Sequence, residues 1–183
     1  MAKVIREKLH MPLYDAFAAP RSGATNFRDS MIDPRMIRFF VDVENKTKLD
    51  TNLHASGALR DQHRFEARAL RVVTSGLKAE ELSDLIYNSV TTLLVGEKIM
   101  IEAPTYFFPS GAGISLGNQT ITNHGEPNPM ATFRFAEPVI IEPQQNFRVE
   151  ILFPEGLPQR LGEATSLLRL WTILDGYLTR DVQ

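Results

Sequence analysis

Apolar and polar residues alternate along several short stretches of the chain, and that period of two marks β-strands with one apolar face. In Ile37 to Glu44 (IRFFVDVE), Ile37, Phe39, Val41 and Val43 stand against Arg38, Asp42 and Glu44. Phe40 interrupts the polar row, so one aromatic is expected on the outer face, covered by another segment or by a partner. Arg64 to Thr74 (RFEARALRVVT) alternates Phe65, Ala67 and Ala69 with Arg64, Glu66 and Arg68, then turns apolar on both faces at Leu70 to Val73. That end is expected to be buried on both sides. Ala131 to Pro154 reads as two strands folded back on each other as a hairpin through Glu142 to Asn146, with Phe147, Val149, Ile151 and Phe153 forming one apolar row. The phase of its first arm is lost across Ala136-Glu137-Pro138, which predicts a bulge or a sheet edge.

Two further stretches read as strands by content. Val90 to Ala103 holds two apolar runs joined at Gly96-Glu97, either a tight hairpin or one kinked strand. In Ala164 to Val182, a strand from about Leu167 to Leu174 surrounds the only tryptophan, Trp171, and Asp175-Gly176 marks a bulge or turn. Helical spacing occurs clearly only in Lys78 to Asn88, where Leu82, Leu85 and Ile86 share a face after the Ser75-Gly76 break. Its acids Glu80, Glu81 and Asp84 are read as a solvated face near the helix N-terminus.

Between these elements lie loops. Asn45 to Asp61 is polar and rich in turn formers, Ile114 to Thr122 is a weak strand pair, and Asn123 to Pro129 is a turn. Pro104 to Gly113 sets aromatics between prolines, and serves either as a loop packed on its own rings or as an exposed contact surface. Some eight or nine short strands with one inserted helix predict an all-β protein, an eight-stranded jelly-roll β-sandwich. Residues 1–36 are poorly periodic and carry Pro12, Pro20 and Pro34, so they read as an extended N-terminal arm before a single jelly-roll domain over 37–183. The arm's apolar residues call for a surface, such as that of a neighbouring subunit.

Composition narrows the chemistry. With 183 residues the chain fits one domain. It has no cysteine, which excludes disulfides, thiolate metal sites and cysteine nucleophiles. The longest apolar runs fall short of the ~20 residues of a spanning helix, and no signal core follows the basic start. A net charge of −2 gives no general reason to bind nucleic acid, and Glu7, Asp15, Asp29 and Asp33 dilute the basic residues of the arm. His54 and His63 flank the long loop without a third ligand at metal spacing, and His124 with Glu126 forms only an incomplete cluster. Ser110 to Gly113 lacks the lysine and following helix of a phosphate loop.

Several stretches, HRFEARALRVVTSG with its helix, TTLLVGEKIMIEAPTYFFPSGAG, NFRVEILFP and LLRLWTILDGYLTRDVQ, resemble the single jelly-roll capsid proteins of tailless icosahedral bacterial viruses, especially the smaller major capsid proteins of internal-membrane viruses. The resemblance spans roughly residues 37–183. It implies a virion structural protein, assembled in the host cytoplasm, that forms the shell with copies of itself. It leaves room for a second capsid protein and for a membrane beneath the shell, and implies neither catalysis, a cofactor nor sequence-specific nucleic-acid recognition. The residues expected at subunit interfaces are Leu13, Tyr14, Phe17 and Phe27 of the arm, Phe40, and Tyr106, Phe107 and Phe108. Two rivals remain: a non-catalytic jelly-roll module binding carbohydrate or a receptor through Tyr106 to Phe108, and a cupin-like metal enzyme, which would need His54, His63 or His124 to converge.

Overall fold

A computed structural model describes residues 5–116 and 121–182. Eleven strands occur among them: β1 (Arg6–His10), β2 (Leu13–Ala19), β3 (Met36–Phe39), β4 (Arg64–Ser75), β5 (Val90–Val95), β6 (Lys98–Pro104), β7 (Ser115–Leu116), β8 (Ile121–Thr122), β9 (Phe133–Ile141), β10 (Phe147–Leu152) and β11 (Leu168–Asp181). One sheet runs β1-β11-β4-β9, with β2 also on β11; the second runs β3-β10-β5-β6; β7 and β8 make a separate ribbon. Every pairing is antiparallel. The protein is thus an all-β sandwich whose core fills the space between two sheets. Phe65, Leu70 and Val72 of β4 and Leu170 and Leu174 of β11 meet Val149 and Ile151 of β10, Leu93 of β5 and Phe39 of β3 there.

The alternation in Arg64 to Thr74 matches β4, in which Phe65, Ala67, Leu70, Val72 and Thr74 are buried. Gly96 sits at φ +60 and closes β5 and β6 as a hairpin, so the kinked-strand alternative falls away. The closing segment is one long strand, and its register against β4 shifts at Asp175/Gly176, the bulge expected of that dipeptide. A Cβ on Gly176 would stand 2.1 Å from the Glu66 carbonyl oxygen, so the bulge needs a residue without a side chain. The register of β9 against β4 also breaks, between Val139 and Arg134, where Ala136 to Pro138 lost the phase, and β9 is a sheet edge.

Four expectations are corrected. The stretch 131–154 is not a hairpin: β9 pairs with β4 in one sheet and β10 with β3 and β5 in the other. Its loop carries the chain across the sandwich, because both arms have an apolar row and each sheet buries one. The strand expected over 37–44 stops at Phe39, where Phe40 takes φ +70 and turns its ring into the core against Phe147, 5.2 Å between centroids. Residues 6–19 do not reach out as an arm. They form β1 and β2, which lie end to end along β11 and complete its sheet. Among the described residues there are three α-helices, not one: α1 (Phe27–Ser30) and α3 (Gln159–Gly162) join the expected α2 (Ala79–Tyr87). In α2 Leu82 and Leu85 are buried as spaced, but Glu81 is buried too, accepting the Lys78 N–H at 2.8 Å rather than facing water.

A buried ion pair fastens β2 to the rest of the chain. Asp15 is fully buried, and its Oδ2 accepts the Phe40 N–H at 2.7 Å while Lys46 Nζ lies 2.9 and 2.8 Å from its two oxygens. Burial pushes the Asp15 carboxyl above its ordinary value, although Lys46 and the Phe40 N–H pull the other way. The left-handed turn at Phe40 is therefore held by a carboxylate from β2.

Candidate interaction surface

The segment after β6 builds the most exposed aromatic surface. Thr105 opens a single 3₁₀ turn, Thr105–Phe107, and is itself buried. Its N–H donates to the Ser89 carbonyl at 2.9 Å, and its hydroxyl lies 2.6 Å from Ser89 Oγ and 2.9 Å from Thr91 Oγ1. Ser89 Oγ in turn donates to the Leu85 carbonyl at 2.6 Å, so the turn is bound to the end of α2 and to β5. At its other end Phe108 is buried, and its carbonyl accepts the Val72 N–H of β4 at 3.2 Å. Both flanks are fixed, so Tyr106 and Phe107, 50% and 47% exposed, are presented on a rigid base.

Their rings belong to a continuous row. Tyr87, at the end of α2 and 66% exposed, lies 5.8 Å from Tyr106, which lies 5.0 Å from Phe107. Phe107 meets Phe133 edge-on at 6.4 Å, and Phe133 packs edge-on against Phe108 and Phe135 at 5.2 and 6.1 Å. The row thus runs from the surface into the core. Aromatic rings held in place lose little conformational entropy on binding, which is why such residues dominate the energetics of interfaces.

The eight residues expected at interfaces are divided by the structure. Leu13, Phe17, Phe27, Phe40 and Phe108 lie in the core of the chain itself, where they meet no neighbour, and Tyr14 is half-buried on β2. Tyr106 and Phe107 alone of the set are exposed. The exposed apolar residues outside that set include Tyr87, and Ile99 and Met100 on β6. A signal existed for the latter two. The run KIMIEA stays apolar through three adjacent positions, Ile99 to Ile101, which a one-sided strand cannot bury.

The histidines separate. His54 and His63 both line a cleft of about 130 Å³ with Arg60 and Arg180, while His124 lies in a different groove. Burial, then Arg60, Arg180 and His54, push the His63 imidazole below its ordinary value. Positive neighbours of that kind disfavour a bound cation as well as a proton. Among the described residues no group of three or more His, Asp or Glu is placed to hold a metal, and no helix is long and apolar enough to cross a membrane.

A second surface feature lies on the outer face of the β1/β2-β11-β4-β9 sheet. Tyr14, Leu49, Val73, Trp171 and Ile173 line an open groove of about 570 Å³, rimmed by Lys48, Arg71 and His124. The indole Nε1 donates to the Leu49 carbonyl at 3.2 Å and ties the long loop to β11.

No protein-family model matches the chain, and no curated protein matches it.

Proposed function

We propose that the chain is a structural subunit that self-associates into a shell, the capsid role implied by its resemblance to jelly-roll capsid proteins. Strand order supports the fold part of the reading. With β1 and β2 counted as one interrupted strand along β11, and the β7-β8 ribbon set aside, eight strands remain in two four-stranded sheets. Consecutive strands of this set change sheet at every step except the β5-β6 hairpin. Winding of that kind supports the jelly-roll reading, an architecture used by capsid, lectin and cupin domains alike. Fold alone does not select among them.

The observation that carries the functional part is the exposed row Tyr87, Tyr106 and Phe107, mounted on a turn whose flanks are buried. A shell subunit repeats the same contacts by symmetry, so fixed apolar side chains at one place on each copy provide its contact chemistry. The test is the Tyr106→Ala/Phe107→Ala double variant. Its thermal unfolding is expected to stay close to that of the wild type while its sedimentation shifts to smaller species. Unchanged association by a folded double variant would contradict the reading.

A second reading, a non-catalytic carbohydrate-binding module, is favoured by the Trp171 groove, where an aromatic ring adjoins polar side chains as stacking sites require. Quenching or enhancement of the single tryptophan's fluorescence on titration with oligosaccharides, absent in Trp171→Ala, is its expected signature. No response to any sugar, together with assembly of the wild type, decides against it.

A further inference from the structure

His54 and His63 have no part in the aromatic row, and they meet where β1 gives way to β2. The long loop is pinned there at two points. Asn52 donates through Nδ2 to the Pro12 carbonyl at 2.7 Å and accepts the Tyr14 N–H at 3.1 Å. The Gly57 N–H donates to the Phe40 carbonyl at 2.6 Å, and its carbonyl accepts the Phe147 N–H at 2.8 Å. Between the loop, the start of β2 and the end of β11 a slot of about 130 Å³ remains. Leu13, Leu59 and Leu178, each nearly buried, make its floor.

The rim of the slot is cationic. The period of two on β11 puts Arg180 on the same face as Leu178, so one strand carries part of the floor and part of the rim. A turn closed by the His63 N–H on the Arg60 carbonyl, 3.1 Å, with Gln62 at φ +63, brings Arg60 and His63 to the same mouth, and His54 completes it. Arg180 is paired with Glu7, whereas Arg60 is exposed and makes no ion pair among the described residues. No carboxylate among those residues lines the slot. His63 registers the excess of positive charge: burial, then Arg60, Arg180 and His54, hold its imidazole below the ordinary value. Negative charge stands outside, where Glu7, Asp61 and Asp181 line the wider cleft into which the slot opens.

We propose that this slot binds a small monocarboxylate with an apolar tail, a short-chain fatty acid, whose carboxylate lies among Arg60, His63 and Arg180 and whose chain covers the leucine floor. Size, charge and polarity each select that class. An apolar cavity of about 150 Å³ admits benzene, so this slot holds a tail of roughly four to six carbons. An arginine fork takes a carboxylate through paired N–H donors, and Arg60 has its fork free of any ion pair among the described residues. A neutral alcohol of the same length would leave the rim uncompensated. Phosphate would forgo the apolar contacts and bring a second negative charge toward Glu7, Asp61 and Asp181. The proposal is independent of the self-association reading, since it uses none of the exposed aromatic row.

Titration of the isotope-labelled full chain with hexanoate, followed by its amide and imidazole resonances, tests the assignment. Affinity for straight-chain carboxylates is expected to rise about fourfold for each CH₂ from acetate to hexanoate, and to level off once the slot is full. Hexanol and inorganic phosphate are expected to bind at least about tenfold more weakly than hexanoate. Bound hexanoate should raise the pKa of His63, because it places a negative charge among Arg60, Arg180 and His54. Arg60→Gln is expected to weaken hexanoate about tenfold or more with its melting midpoint unchanged, while Arg160→Gln on α3 binds as the wild type does. Hexanol or phosphate as tight as hexanoate overturns the proposal. So does the absence of saturable shifts at His63 and Leu178, or a folded Arg60→Gln of undiminished affinity.

Discussion

Removing the Asp15 carboxylate tests whether residues 6–19 are part of the domain or an appendage to it. Asp15 is wholly buried on β2, and its partners are Lys46, whose side chain is only 14% exposed, and the N–H of Phe40. Breaking a buried pair by deleting one partner costs about 3–5 kcal/mol, since the other charge stays buried and uncompensated. Set against a total stability of about 5–15 kcal/mol for a domain, that is a large fraction. Asp15→Ala is expected to fall in this range. Asp15→Asn keeps an acceptor for the Phe40 N–H and so is spared about 1–3 kcal/mol of that loss. Lys46→Met is expected to be milder than Asp15→Ala, because the carboxyl, already raised by burial, can take up a proton instead of remaining an unpaired anion. Urea unfolding followed by the fluorescence of Trp171 measures all three variants. A double-variant cycle between Asp15→Ala and Lys46→Met should give a coupling of about 0.5–3 kcal/mol. An Asp15→Ala cost below about 1 kcal/mol, or strict additivity in the cycle, would refute the claim that this pair fastens β2 to the Phe40 turn.

Three shorter predictions follow from the same geometry. A carboxyl raised by burial favours the folded state when protonated. The stability of the wild type relative to Asp15→Asn should therefore grow as pH falls from the raised folded value to the ordinary 3.8, and be lost again as pH rises through the folded value, as read by unfolding midpoints across that window. His63 is shifted the opposite way: its contribution is present above the ordinary 6.5 and lost as pH falls through its lowered folded value, so His63→Gln should flatten that part of the acid side of the stability profile. Gly176→Ala puts a Cβ 2.1 Å from the Glu66 carbonyl oxygen, and should cost about 1–3 kcal/mol or more in urea unfolding.

The strands were legible where one face alone is buried. β4, β10 and the β5-β6 hairpin show their alternation or their glycine turn in the residues themselves, and the Asp175-Gly176 bulge was visible as a dipeptide. Pairing was not legible. Phe133 to Ile141 and Phe147 to Leu152 look alike whether they bond to each other or to opposite sheets, since alternation reports which face is buried and not which strand lies beside it. Residues 6–19 were misread because β1 and β2 split one sheet edge into two short pieces around Met11-Pro12, too short for periodicity to show. Phe40 was misassigned for a different reason: its burial depends on a positive φ held by Asp15, 25 residues earlier. Of the interaction surface, Tyr106 and Phe107 were found by composition. Distinguishing them from Phe108 required the anchoring by Thr105 and Val72, a long-range feature.

Self-association is the central claim, and the native mass of the purified chain tests it most directly. Sedimentation velocity over a hundredfold concentration range and several salt conditions, with negative-stain images of any fast species, is the measurement. The account predicts defined oligomers that grow with concentration into sheets, rings or shells. A strict monomer at every concentration and ionic strength would contradict it.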